Sequence, residues 1–308
     1  MRTVFFGTPQ WAVPSLASLL ASSIEVAAVV TNPDRPAGRG MTERASPVKL
    51  AATEAGVELL QPSGGRDPAL AARLRELAPD VATVVAYGHI LPGALLEIPR
   101  LGFVNLHFSL LPKLRGAAPV QRAVMEGSPA TGVSLMVLDE GMDEGPVLAA
   151  EAVAVDPEET AGALGARLAE LGAELLVRSL PGYADGSLRP QEQDHEVATY
   201  APKISPEEAR IEWTRSSTGI RNLVRGLNPT PGAWTTFRAV RMKVLEVGSG
   251  EGDGGLAPGE PAADRGLAVG TGDGRLELCV VQPAGKLPMT GAEWARGARL
   301  EPGDRLGR

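Results

Sequence analysis

The feature that most constrains this chain is an alternation in its first half. Short β-branched or aromatic runs, at residues 3–6, 25–30, 57–60, 81–87 and 103–106, each end in a turn signal. Between them lie stretches of helical periodicity. Pro14 sits near the first turn of one such stretch, and Ser46-Pro47 and Asp67-Pro68 each pair an N-cap residue with proline at the first helical position. Strands alternating with helices predict βαβ units, hence a doubly wound, mostly parallel α/β sheet with helices on both faces. In such sheets ligands bind in the crevice beyond the carboxyl ends of the strands. Chemistry is therefore expected just after a strand.

Further along, residues 131–138 and 147–155 read as strands, and Asp156-Pro157 opens a helix expected over 160–180. Residues 188–203 are polar and extended, with Pro190 and Pro202, as in a linker. A helical stretch is expected from Ser205 to about Leu227. Beyond it, strand-like runs at 234–237, 242–247, 266–269 and 276–282 are divided by glycine and proline, the pattern of a small OB-like antiparallel β-barrel. The glycine-rich segment 248–266 reads as a hairpin loop. A length of 308 residues fits this two-domain division, with boundaries at 1–189, 190–204 for the linker, and 205–308.

Several function classes drop out. One cysteine, Cys279, excludes an internal disulfide framework and a cysteine-based zinc site, and three histidines argue against an all-histidine metal cage, so no metal is expected. A net charge of −7 is wrong for a protein that grips nucleic acid by bulk charge. No apolar run has the length of a membrane span, and the N-terminus reads as a first strand rather than a signal peptide. A cytoplasmic, monomeric protein without membrane contact is the expectation. The turn after the first strand, Phe6-Gly7-Thr8-Pro9, lacks the glycine pattern of a dinucleotide fold, and there is no phosphate-binding P-loop.

The informative segment is Asn105-Leu-His107-Phe-Ser109-Leu-Leu-Pro112-Lys-Leu-Arg115-Gly116. Asn105 and His107, two residues apart on a strand, share one face of its end. An amide and an imidazole converging there suit an oxyanion formed during acyl transfer. After the next strand comes Asp139-Glu140-Gly141-Met142-Asp143-Glu144-Gly145, which offers a carboxylate to orient the imidazole and accept protons. Asp143 is favoured over Asp139, which still lies close to the strand. A core histidine beside a turn-forming asparagine, and a solvated acidic turn, are the plainer alternatives from these residues alone.

Asn-x-His-x-Ser-Leu-Leu-Pro-x-x-Arg-Gly followed by Asp-x-Gly-x-Asp resembles the 10-formyltetrahydrofolate-dependent formyltransferases. Blocks beginning at Phe5 (FFGTPQWAVPSL), Asn32 (NPDRPAGRG), Ser46 (SPVK), Tyr200 (YAPKISPEEARIEW) and Val280 (VVQPAGK) resemble the members that act on charged initiator tRNA. The resemblance implies a Rossmann-like formyltransferase domain followed by a tRNA-binding barrel. It implies Asn105, His107 and Asp143 as the catalytic trio. Ser109, Leu110, Leu111 and Pro112, with Tyr87, Gly88, Ile90 and Leu91, would bind the folate co-substrate, 10-formyltetrahydrofolate. Arg35, Arg39 and Lys49 would meet the tRNA, and initiator methionyl-tRNA would be the partner. His89 falls on a position the family does not fix. Met41-Thr42-Glu43-Arg44 stands where members often carry lysines, which leaves that loop less positive. Formyl transfer to a small amine, or an RNA-binding protein with an inactive first domain, are the competing functions.

Overall fold

The computed structural model describes residues 1–37, 42–249, 255–263 and 266–308. It divides into two compact units that interleave along the chain. One comprises Met1–Pro119, Thr131–Val153 and Gly165–Ala201; the other comprises Val120–Ala130, Ala154–Leu164 and Pro202–Arg308. A single cut in the chain therefore does not separate them.

The first nine strands are β1 (Arg2–Gly7), β2 (Glu25–Val30), β3 (Arg35–Ala37), β4 (Thr42–Arg44), β5 (Leu59–Leu60), β6 (Val81–Val85), β7 (Phe103–His107), β8 (Ala130–Val137) and β9 (Val147–Ala154). Among them run helices α1 (Val13–Ala21), α2 (Pro47–Glu54), α3 (Pro68–Leu77), α4 (Gly93–Leu96), α5 (Pro119–Met125) and α6 (Ala161–Asp185). Seven strands form one sheet in the order β5-β2-β1-β6-β7-β8-β9. The pairs from β5 to β7 are parallel, and β7 with β8 is antiparallel. This is the mostly parallel α/β architecture expected from the alternation. Burial follows from it. β6 is buried at every position, as a strand covered on both faces must be, whereas β9 alternates along much of its length between inward and exposed residues.

The helix starts match their sequence signals. Ser46 caps α2 by accepting from the Lys49 N–H at 3.0 Å, and Asp67 caps α3 by accepting from the Ala69 N–H at 3.0 Å, each with proline in the first turn. Helix α6 lies close against β7: a Cβ on Gly172 would stand 2.5 Å from Leu106 Cδ2, so glycine is what lets this helix cover the strand.

The second unit carries α7 (Ser217–Leu227), β10 (Ala233–Phe237), β11 (Val240–Ser249), β12 (Pro261–Ala262), β13 (Ala268–Gly270), β14 (Arg275–Pro283), β15 (Met289–Thr290) and α8 (Gly291–Ala298). Its six strands pair antiparallel in the order β10-β11-β14-β13-β12, with β15 on β14. Inward residues of β10, β11 and β14 pack with Ile220, Leu223, Val224 and Leu227 of α7 into one core.

One expectation needs correction. The helix expected from Ser205 begins only at Ser217, behind a Ser216 cap. Residues 205–215 spend their hydrogen bonds elsewhere: Ile211 N–H donates to the Trp234 carbonyl at 2.8 Å, and Trp213 Nε1 donates to Thr235 Oγ1 at 3.0 Å. Helix α8 was not among the expected elements, although Thr290 and Glu293 form the capping box that marks its start. Among the described residues no helix is long and apolar enough to cross a membrane.

Ser46 Oγ also meets Thr31 Oγ1 at 2.8 Å. Ser46→Ala removes both bonds and is expected to destabilise the protein by about 1–2 kcal/mol in denaturant unfolding. An unchanged midpoint would show that the cap bond is not made in solution.

Candidate active site

Strand β7 pairs with β6 on one side and β8 on the other, which fixes the height of its last residues: Asn105 stands opposite Val84 and Met136, and His107 opposite Ser134. Both side chains belong to a cavity of about 490 Å³ beyond the ends of β6 and β7. Its walls are Val84, Leu91, Leu96, Leu106, Phe108 and Leu138, the loop from Ala86 to Leu91, and the turn from Asp139 to Asp143. The site thus lies where an open α/β sheet places one.

His107 is 6% exposed and held from two sides. Its Nε2 lies 2.9 Å from the Leu114 carbonyl, and its Nδ1 lies 3.6 Å from Asp143 Oδ2. A carbonyl only accepts, so Nε2 carries a proton. Nδ1 at 3.6 Å is beyond hydrogen-bond length and is the ring edge left to exchange a proton. Leu114 turns its carbonyl to the ring by taking a left-handed backbone, φ 57°, while its N–H donates to Thr199 Oγ1 at 2.8 Å. Asp143 is also left-handed, φ 55°, and its Oδ2 accepts from the Gly116 N–H at 2.8 Å. Non-glycine residues in this region cost on the order of 1–3 kcal/mol each and persist only where surroundings hold them.

Asn105, His107 and Asp143 are therefore brought together. Asp139 lines the same cavity but is exposed, with its carboxylate accepting from the Gly141 N–H at 2.9 Å. Of the residues expected at the folate, Tyr87, Gly88, Ile90 and Leu91 line the cavity. Ile90 is 88% exposed at its rim. Tyr87 is buried with no hydrogen-bond partner for its hydroxyl among the described residues, and burial pushes the phenol up to about 12. Ser109, Leu110, Leu111 and Pro112 are not among the lining residues. Ser109 Oγ donates to the Lys113 carbonyl at 2.6 Å, Leu111 N–H donates to Ser134 Oγ at 3.1 Å, and Leu110 packs where a Cβ on Gly132 would fall. These four shape the loop that carries Leu114 and Gly116.

Lys49 Nζ donates to Asp34 Oδ2 at 2.6 Å and to Gln61 Oε1 at 3.1 Å, and the lysine holds the Asp34 carboxyl below the usual aspartate range. Arg35 lies in β3, and Arg39 lies outside the described residues.

Sequence reasoning passed over the segment 191–201. It runs beside the loop after β7, with Arg115 N–H donating to the Thr199 carbonyl at 2.8 Å and Ala201 N–H to the Arg115 carbonyl at 2.7 Å. Arg115 is 1% exposed, and its guanidinium meets Gln193 and His195 of this segment. The one sequence signal was an arginine in a loop otherwise built of apolar and small residues.

A formyl transferase family model matches residues 1–180, and a formyl transferase C-terminal domain model matches residues 203–299. The methionyl-tRNA formyltransferase of Streptomyces griseus is 51% identical over 309 residues, covering 100% of both chains. That of Thermobifida fusca is 49% identical over 308 residues, covering 100% of this chain and 99% of the relative. Among solved structures, the sugar 3N-formyl transferase WlaRD superposes with a TM-score of 0.68 at 16% identity, over 93% of this chain and 99% of that one. HypX from Aquifex aeolicus, in complex with tetrahydrofolic acid, gives 0.66 at 18% identity, over 96% of this chain and 47% of that one. At those identities the structural likeness shows the fold alone. With both family models matched and relatives of about half identity along its whole length, the chain belongs to the formyl transferase family.

Proposed function

We propose that this chain transfers the formyl group of 10-formyltetrahydrofolate to the amino group of methionine carried on initiator tRNA. The observation that carries the reading is the coincidence of two things: full-length relatives of that activity, and the Asn105–His107–Asp143 cluster at a cavity beyond the strand ends, where an open α/β sheet binds ligands. The cavity combines apolar walls with main-chain groups of the loop from Ala86 to Leu91, which suits a flat heterocycle with several donors and acceptors.

The neutral amine attacks the formyl carbon and a tetrahedral centre with a negative oxygen forms. The Asn105 amide donates to that oxygen, and the His107 ring donates to it from Nδ1 in its doubly protonated form, since Nε2 is taken by the Leu114 carbonyl. Asp143 holds the imidazole through its Nδ1 edge and takes the proton the amine must lose. The carbon–nitrogen bond to the folate then breaks and tetrahydrofolate leaves with a proton on its nitrogen. We assign this chemistry to the first unit and tRNA binding to the second. Arg35 and Arg39 are assigned to phosphate contacts with the tRNA. Lys49 contributes through its pair with Asp34, which anchors the base of that segment.

Two tests follow. His107→Ala should lower formyl transfer by about 10²–10³-fold in a folded protein. Asp143→Asn should cost about 10²-fold or more, while Asp139→Asn stays near wild type. Equal losses in the two aspartate variants would remove Asp143 from its role. For the acceptor, charged initiator tRNA, charged elongator tRNA and a small amine should be compared at equal folate concentration. Strong preference for the initiator is expected; equal use of the elongator or preference for the small amine would overturn the assignment.

A further inference from the structure

The cluster leaves one question open: what keeps Asp143 in its strained backbone when its own turn is partly exposed and rich in glycine. The answer lies 50 residues downstream. Gln193 is 7% exposed, and its Nε2 donates both to the Asp143 carbonyl at 2.9 Å and to the Gly145 carbonyl at 2.7 Å. Its Oε1 accepts from Arg115 Nη2 at 2.7 Å and Nε at 3.1 Å. The amide has only one workable orientation, because a guanidinium only donates and a carbonyl only accepts. Gly145 lies close against β8, where an added Cβ would collide with the Val137 carbonyl, so glycine is what fits this end of the turn.

We propose that Gln193, with Arg115 behind it, is the positioning residue for Asp143. One amide clamps the two carbonyls that flank Glu144, so the turn closes and the Asp143 carboxylate is delivered to the Gly116 N–H and to His107. The buried guanidinium strengthens the clamp. Its positive charge polarises the Gln193 amide and makes Nε2 a better donor to both carbonyls. Arg115 is in turn answered by Gln193, by His195 Nδ1 at 3.3 Å, and by Glu144 Oε1 at 3.6 Å. Only an amide meets donors on one side and acceptors on the other. Glutamate at this position keeps the partner for Arg115 but sets an oxygen against two carbonyls. Gln193 does not itself line the cavity, so its effect passes through Asp143. The inference rests on the formyl-transfer role proposed for Asp143.

The test is a kinetic cycle on the full-length protein with charged initiator tRNA and 10-formyltetrahydrofolate. Gln193→Glu should lower kcat by ~10–100-fold, the cost of a misplaced catalytic group. Both KM values should stay close to wild type, and the protein should still fold because the Arg115 contact survives as an ion pair, with a lowered thermal midpoint from the two lost bonds to Asp143 and Gly145. Placed in an Asp143→Asn background, Gln193→Glu should add little further loss. Should Gln193→Glu not fold, Gln193→Asn is too short by one methylene to span both sides and should give the same split. The proposal is overturned if a folded Gln193→Glu protein turns over like wild type. It is overturned equally if KM rises as much as kcat falls, or if the two substitutions multiply. Those results with an active wild type and a slow Asp143→Asn variant would sink the positioning role alone. An inactive wild type, or an Asp143→Asn variant as fast as wild type, would remove the formyl-transfer reading and this inference with it.

Discussion

The site depends on a single imidazole fixed at the end of a strand. His107 Nε2 faces the Leu114 carbonyl, and its other nitrogen faces the Asp143 carboxylate. Each of those partners sits on a left-handed residue, so neither would present its oxygen without support from elsewhere. Leu114 is held by Thr199, and Asp143 by Gly116 through its side chain and Gln193 through its carbonyl. The loop after β7, the turn before β9 and the segment 191–201 therefore form one hydrogen-bonded assembly around the ring. Its cost in strained backbone and buried charge is met by pairing nearly every polar atom of Arg115 and Gln193.

Much of the scaffold was legible because it is local. The strands β1, β2, β6 and β7 announce themselves as short β-branched runs, and the caps at Ser46 and Asp67 are read from two adjacent residues. The gathering of Asn105, His107 and Asp143 was legible for a similar reason. A period of two on β7 puts Asn105 and His107 together, and the acidic turn follows the next strand. What could not be read depends on partners distant in sequence. Residues 205–215 look helical until Trp234 and Thr235 claim their hydrogen bonds. Lys49 looks like a free cation until Asp34 and Gln61 take it. Gln193 sits in a polar run that reads as a linker, and only the fold brings it to Asp143.

The family's fold alone does not choose an acceptor. Solved relatives that superpose along most of the chain include a sugar formyl transferase at 16% identity. In the proposed function the choice of acceptor is assigned to the second unit, where Arg241 stacks 4.2 Å from the centroid of the Trp234 ring.

The claim on which the account turns is that His107 is locked with its Nε2 proton given to the Leu114 carbonyl. Nitrogen-15 spectra of the labelled protein, with His107 assigned against a His107→Asn variant, report the tautomer directly. The account predicts that neutral His107 is the Nε2–H tautomer, with Nδ1 bare toward Asp143. A neutral ring protonated at Nδ1 and bare at Nε2 would set a lone pair against the Leu114 carbonyl and would contradict the arrangement described.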